Sequence, residues 1–178
     1  MQMKKITTIF VVLLICAASV RAQNVSTVIK TEALKMAKAL GSLDMETYAT
    51  FMYPTLVGDN ASKEKIKQGI DSVNKYREQF GLKVKQILIG NPSAVQTHKG
   101  IMQCTLPQTT TVEALMGTLS LETTLIGLSN NGTKWYFVDA MMYKQKDSKE
   151  KLPELSPAIV IPPMKPPVMT GADGKKIN

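Results

Sequence analysis

Histidine, cysteine and tryptophan are nearly missing from this chain of 178 residues, and each scarcity excludes something. The cysteines are Cys16 and Cys104, and Cys16 lies in an N-terminal apolar segment expected to be removed. The mature chain then has no partner for Cys104. Small exported domains often lean on disulfides, so this one has to hold itself together by packing. Cys104 sits in a strand-like run, Ile101 to Leu106, and is expected to be a buried, inert thiol. His98 is the only histidine, and with scattered carboxylates it offers no metal-ligand spacing and no Ser-His-Asp or Cys-His set. No glycine-rich phosphate loop is present, and no cofactor is expected. Aromatic residues are 6% of the chain, and the excess of Lys and Arg is spread out instead of interleaved with them. Nucleic acid is therefore not an expected partner. The apolar run Ile6 to Ala18 falls short of the ~20 residues that span a bilayer.

That run is flanked by Lys4 and Lys5 on one side and Val20-Arg21-Ala22 on the other, the pattern of a cleavable signal peptide over residues 1–22. A lipid anchor on Cys16 is disfavoured by Ile15, which stands where a small residue is usual. Cleavage after Ala22 leaves about 156 residues, enough for one domain with a real core, and takes the formal charge from +8 to about +5. The expectation is an exported protein, periplasmic or secreted, with no membrane contact after cleavage.

The mature part opens with helical patterns. Val25, Val28, Ile29, Ala33, Met36, Ala37 and Leu40 recur at three-four spacing, which predicts a helix from Asn24 to Leu40. Asn24 is the expected cap, and Gly41 is expected to take the left-handed position that ends it. A shorter helix, capped by Ser42 or Asp44, is predicted to run to about Met52 and to stop at Pro54. A third is predicted from a Ser62 cap to Phe80, with Ile66, Ile70, Val73 and Phe80 on one face and Gly81 at its end.

From Leu82 the period changes to two. Leu82 to Gly90 and Ala94 to Leu106 read as strands joined by a turn at Asn91-Pro92-Ser93. Pro107 to Gly117 reads as a loop. Thr118 to Leu128 and Lys134 to Tyr143 then form a predicted hairpin turning at Asn130-Asn131-Gly132, because Asn and Gly tolerate positive φ. Beyond it, residues 146–178 are charged and proline-rich, and read as a flexible tail dispensable for folding. The alternative is that Ile159-Val160-Ile161 lies against the domain.

Leu43-Asp44-Met45-Glu46 leading into Tyr53-Pro54, the Ser62–Phe80 helix, and Asn131-Gly-Thr-Lys-Trp135-Tyr-Phe137-Val-Asp139 together resemble the NTF2-like (SnoaL-like, cystatin-related) superfamily. The resemblance covers roughly residues 25 to 143. It implies an α+β domain over 23–145, with three N-terminal helices packed in a curved antiparallel sheet of four or more strands. That superfamily's cone often holds a pocket, and its members often pair through the outer sheet face. A homodimer is thus implied, through Tyr136, Val138, Ala140 and Met142. The carboxylate, histidine and tyrosine sets of the catalytic members do not carry over onto this chain.

The candidate pocket residues are Tyr48, Phe51, Tyr53, Trp135, Phe137 and Asp139. On a strand, Trp135, Phe137 and Asp139 share a face, so Asp139 would be a carboxylate among aromatics and a candidate general base. Some of the cluster Tyr48, Phe51, Met52 and Tyr53 are expected to project from the second helix into the pocket mouth, the alternative being core packing with the hydroxyls at the rim. Two functions stay open. One is non-catalytic binding of a small apolar ligand or a protein partner. The other is a pocket enzyme of isomerase, dehydratase or hydrolase type, using Asp139 and a tyrosine for proton transfer. The missing catalytic sets weigh toward binding.

Overall fold

The computed structural model describes residues 25–58, 60–171 and 173–177, with the side chains of 60–63, 65, 66 and 73 left out. The expected signal segment, the Asn24 cap and the side chains of Ser62, Ile66 and Val73 lie outside that set. Helix α1 covers residues 25–41. It is followed by α2 (Met45–Ala49), α3 (Pro54–Val57), α4 (Asn60–Phe80), β1 (Lys83–Ile89), β2 (Gln96–His98), β3 (Ile101–Ala114), β4 (Gly117–Ser129) and β5 (Tyr136–Asp139). Short helices α5 (Ala140–Lys144) and α6 (Lys146–Lys149) precede the C-terminal strands β6 (Val168–Thr170) and β7 (Lys176–Ile177). The class is α+β, with one large antiparallel sheet.

The spine of that sheet is the β3–β4 ladder, paired from Met102–Ser129 down to Ala114–Gly117. β1 and β2 share the outer flank of β3, while β5 and β6 share the outer flank of β4. This corrects the strand plan read from the sequence. The segment 107–117 is not a loop: Thr109, Thr110 and Thr111 pair with β1 on one side and β4 on the other. Nor does the chain reverse at Asn91-Pro92-Ser93. Gly90 N and Ser93 N donate to Pro107 O and Thr105 O, each at 2.8 Å, so the chain stays on the same flank of β3. Pro92 has no N–H to give the ladder, so it interrupts the edge without turning it. The reversal comes at Lys99-Gly100, where both φ values are positive (49° and 80°), as a tight two-residue hairpin requires.

Helix ends show a second correction. Helix α1 runs through Gly41 and closes with Asp44 N donating to Ala39 O (2.9 Å) and Leu43 N to Leu40 O (3.2 Å). The left-handed residue is therefore Leu43 (φ 59°), not Gly41. Pro54 does not merely end the second helix; it stands at the first position of α3, where its missing N–H costs nothing. Helix α4 ends as expected at Gly81 (φ 61°), with Leu82 N donating to Arg77 O at 2.8 Å. Phe80 is not on a buried face with Ile70 but stands half-exposed, stacked on Tyr76.

Each face of the sheet carries its own core. Ile29, Ala33, Met36 and Ala37 of α1 pack on Ile89, Cys104, Leu106, Leu125, Trp135 and Phe137. Trp135 is fully buried, with its Nε1 donating to Gly132 O at 3.1 Å. Cys104 is buried as expected, and desolvation pushes its thiol up to about 12, leaving it protonated and unreactive at neutral pH. The opposite face holds Ile126, Leu128, Val138, Ala140, Tyr143 and Leu152, with Leu155 and Ile161 against them. Residues of the proline-rich segment thus cover Val138, on the face expected for a homodimer.

That segment is held by polar handles. Gln103 is fully buried in β3, and its side chain donates to Glu154 O and accepts from Ser156 N, both at 2.8 Å. Tyr143 Oη donates to Pro153 O at 3.2 Å, and β6 adds to the edge of β4. A carboxamide with both ends satisfied by backbone reads the position of residues 154–156 the way a sheet ladder would.

Candidate functional site

A cleft of ≈ 590 Å³ lies between helices and not inside the sheet. Leu40 and Leu43 from the end of α1, Met45 and Tyr48 of α2, and Met52 and Leu56 form one side. Gly69, Ile70 and Asn74 of α4 form another, and Met142, Gln145, Asp147, Ser148 and Lys151 close it. Its size falls within the ~300–1,000 Å³ of small-molecule sites. Half of the lining residues are Leu, Met or Ile. Gly69 contributes openness, since a Cβ there would meet nothing within 4 Å.

The local sequence explains how these side chains are placed. Asp44 caps α2 by accepting from Thr47 N at 3.0 Å, which aims Met45 and Tyr48 from a rigid first turn. Hydrogen bonding from the Thr47 side chain, and then from its N–H, holds the Asp44 carboxyl below its usual range. Leu43, the residue before it, sits in the left-handed region, where a side chain costs roughly 1–2 kcal/mol. Glycine is the usual occupant of that position. A leucine held there with its side chain in the cleft is a backbone outlier of the kind that collects at functional sites.

The six sequence-predicted residues are divided by the structure. Tyr48 lines the cleft. Its hydroxyl is pushed up, first by burial and then by the negative charge of Asp139, so it stays protonated and available as a donor. Phe51, Trp135 and Phe137 are buried in the core beneath α1, and none lines the cleft. Phe137 N also donates to Phe51 O at 2.8 Å, which ties the α2–α3 connection to the free edge of β5. Tyr53 lies on the opposite core, edge-on to Tyr136 with ring centroids 5.7 Å apart.

Asp139 is the last residue of β5, not a mid-strand position, because helix α5 begins at Ala140. Its Oδ1 accepts from Met141 N at 2.8 Å, so the carboxylate serves as a helix cap. It borders a smaller groove of ≈ 240 Å³ with Lys144 and Lys165.

Leu40, Leu43, Met45, Leu56, Ile70 and Met142 were not picked out by sequence reasoning as site residues. The available signal was a leucine directly after Gly41-Ser42, flanked by two amphipathic patterns. Among the described residues no three His, Cys, Asp or Glu side chains are grouped to hold a metal, and no helix is long and apolar enough to cross a membrane. No protein family, curated protein or solved structure matches this chain.

Proposed function

We propose that this is an exported, non-catalytic binding protein that takes a small apolar ligand into the cleft between α1–α3, α4 and α5–α6. The observation that carries this reading is Leu43, kept in a left-handed conformation with its side chain on the cleft wall. Packing alone gives no reason to prefer it to glycine there. The apolar lining supplies affinity, while the Tyr48 hydroxyl, Asn74 and Gln145 supply a few polar contacts for orientation. Export rests on the signal-like residues 1–22. An NTF2-like architecture rests on the order of elements, helices first and then antiparallel strands, with α1 packed on one sheet face.

The catalytic alternative has one observation behind it, the charge of Asp139 felt at Tyr48. It would need Asp139 free to take a proton, whereas that carboxylate is engaged by Met141 N–H.

Binding is tested with a neutral apolar dye, N-phenylnaphthylamine, titrated into the full chain. Leu43→Gly is expected to weaken dye binding about tenfold, the loss of one buried aliphatic side chain. The same substitution should leave the melting temperature unchanged or raised, because it relieves the left-handed strain. Dye affinity equal in the two proteins, or no dye uptake by the parent, overturns the cleft as a binding site.

A further inference from the structure

At the end of the molecule away from the Lys99-Gly100 turn, the β3–β4 ladder closes through Leu115 and Met116. They are 83% and 69% exposed, the two most exposed large apolar side chains of the ladder. Neither is among the residues with positive φ, so backbone geometry does not require these residue types, and a polar pair would serve the turn. The end of α4 meets the same place. A Cβ built on Gly81 would lie 3.3 Å from Leu115 Cδ2. One turn back, Tyr76 (61% exposed) and Phe80 (48%) stack with ring centroids 6.3 Å apart. Four large apolar side chains, each about half or more exposed, thus stand at this end of the molecule.

The charge around them has one dominant sign. Lys83 follows Gly81 and Leu82 and pairs in register with Glu113. On the other flank Gly117 packs against Thr170 and Gly171, and Lys176 is in register with Thr170, which brings exposed Lys175 and Lys176 to this end. Lys75 and Lys85 stand one turn or one strand pair further back, also exposed. The acids near them are Glu78, Glu113 and Asp173, the last within 3.9 Å of Lys175.

We propose that this end of the molecule docks on an anionic lipid bilayer, with Leu115 and Met116 entering the interface and the lysines facing the headgroups. An exposed apolar turn flanked by lysines fits a deformable anionic surface. Long lysine side chains around apolar anchors can lay their stems along the acyl boundary and keep their charge among phosphates. Neither feature suffices alone: a few apolar side chains bind reversibly, and lysines add attraction only where the surface is negative. The proposal departs from the expectation of no membrane contact, since docking at an interface needs no spanning segment. It does not rest on the cleft reading: neither Leu115 nor Met116 lines the cleft, whose α4 residues are Gly69, Ile70 and Asn74.

Co-sedimentation of the full chain is compared on vesicles of phosphatidylcholine alone and of phosphatidylcholine mixed with phosphatidylglycerol. Binding is expected only to the mixed vesicles, and it should fall as salt rises. The double variant Leu115→Ser, Met116→Ser should lose at least about tenfold in partition while keeping its cooperative melt, because both side chains are exposed. Lys175→Gln with Lys176→Gln should weaken binding separately. Sedimentation equal on both vesicle types, or retained in the serine variant, overturns the proposal. Concentration-dependent self-association abolished by the serine variant, without vesicle binding, would assign the surface to a second copy of the chain instead.

Discussion

The two faces of the sheet are covered by different means. Beneath α1 the cover is a helix whose apolar residues recur at three-four spacing and meet Trp135, Cys104 and Leu125 side chain to side chain. On the opposite face the cover is irregular chain with three apolar anchors, Leu152, Leu155 and Ile161, spaced without a period. It is positioned by Gln103 and Tyr143, which grip its backbone. A helix satisfies its own backbone and needs only side-chain contact to dock. A proline-rich segment cannot, so the sheet must offer it hydrogen bonds as well as an apolar floor.

The strongest way to break this comparison is to remove the second cover. A chain ending at Lys151 loses the burial of Leu152, Leu155 and Ile161 and the β6 pairing, roughly 4.5–9 kcal/mol for three aliphatic side chains at ~1.5–3 kcal/mol each. That is a large part of the ~5–15 kcal/mol typical of a domain. Urea unfolding should show a much lower midpoint, and light scattering should show association through the uncovered Val138 face, the homodimer expected from the sequence. A truncated protein that melts within a few degrees of the full chain would mean the segment is only laid on the surface.

This outcome would reverse the sequence expectation of a dispensable tail, and the reason is instructive. Local patterns were legible: the stripe of α1, the Gly81 helix end, the turn at Asn130-Asn131-Gly132 and the burial of Cys104 could all be read from residue types and their spacing. Non-periodic, long-range contacts were not. Nothing about Gln103, in a strand of alternating character, announces that its amide will meet residues 154 and 156. The same limit hid the cleft. Phe51, Trp135 and Phe137 looked like pocket residues because they are large and aromatic, yet such residues fill cores first. The cleft uses leucines, methionines and Ile70 from five helices that only tertiary structure brings together.

The α1 face can be tested from its tightest point. Gly127 in β4 lies opposite Cys104, and a Cβ there would fall 2.9 Å from Cys104 Sγ and 3.4 Å from both the Trp135 and Phe137 rings. Gly127→Ala should therefore cost about 1–3 kcal/mol by overpacking. Cys104→Ala in the same chain should recover part of that loss, since it removes the closest atom. Strict additivity of the two substitutions in urea unfolding would show that the contact is not the cause.

The smallest expected effect concerns how the second cover is pinned at its start. Lys99, in the β2–β3 turn, hydrogen-bonds and ion-pairs with Glu154, and His98 Nε2 lies 3.7 Å from the other carboxylate oxygen. The Lys99 hydrogen bond and charge hold the Glu154 carboxyl below its ordinary value of 4.5, with His98 adding in the same direction. A carboxyl depressed in the folded state stabilises above its unfolded pKa, and that contribution disappears as pH falls through the folded value. The window is therefore below about pH 4.5. Glu154 is fully exposed, so the effect should be small and weakened further by salt. Asp44 is shifted the same way by Thr47, so acid destabilisation of the parent protein alone identifies neither group. The informative quantity is the difference in urea midpoint between the parent and Glu154→Gln, followed from neutral pH downward. It should be present near neutrality and shrink toward zero in acid, while Asp44, common to both proteins, cancels. A difference that stays constant across the titration would show that the carboxylate charge does not hold the segment, leaving Gln103 and Tyr143 to position it.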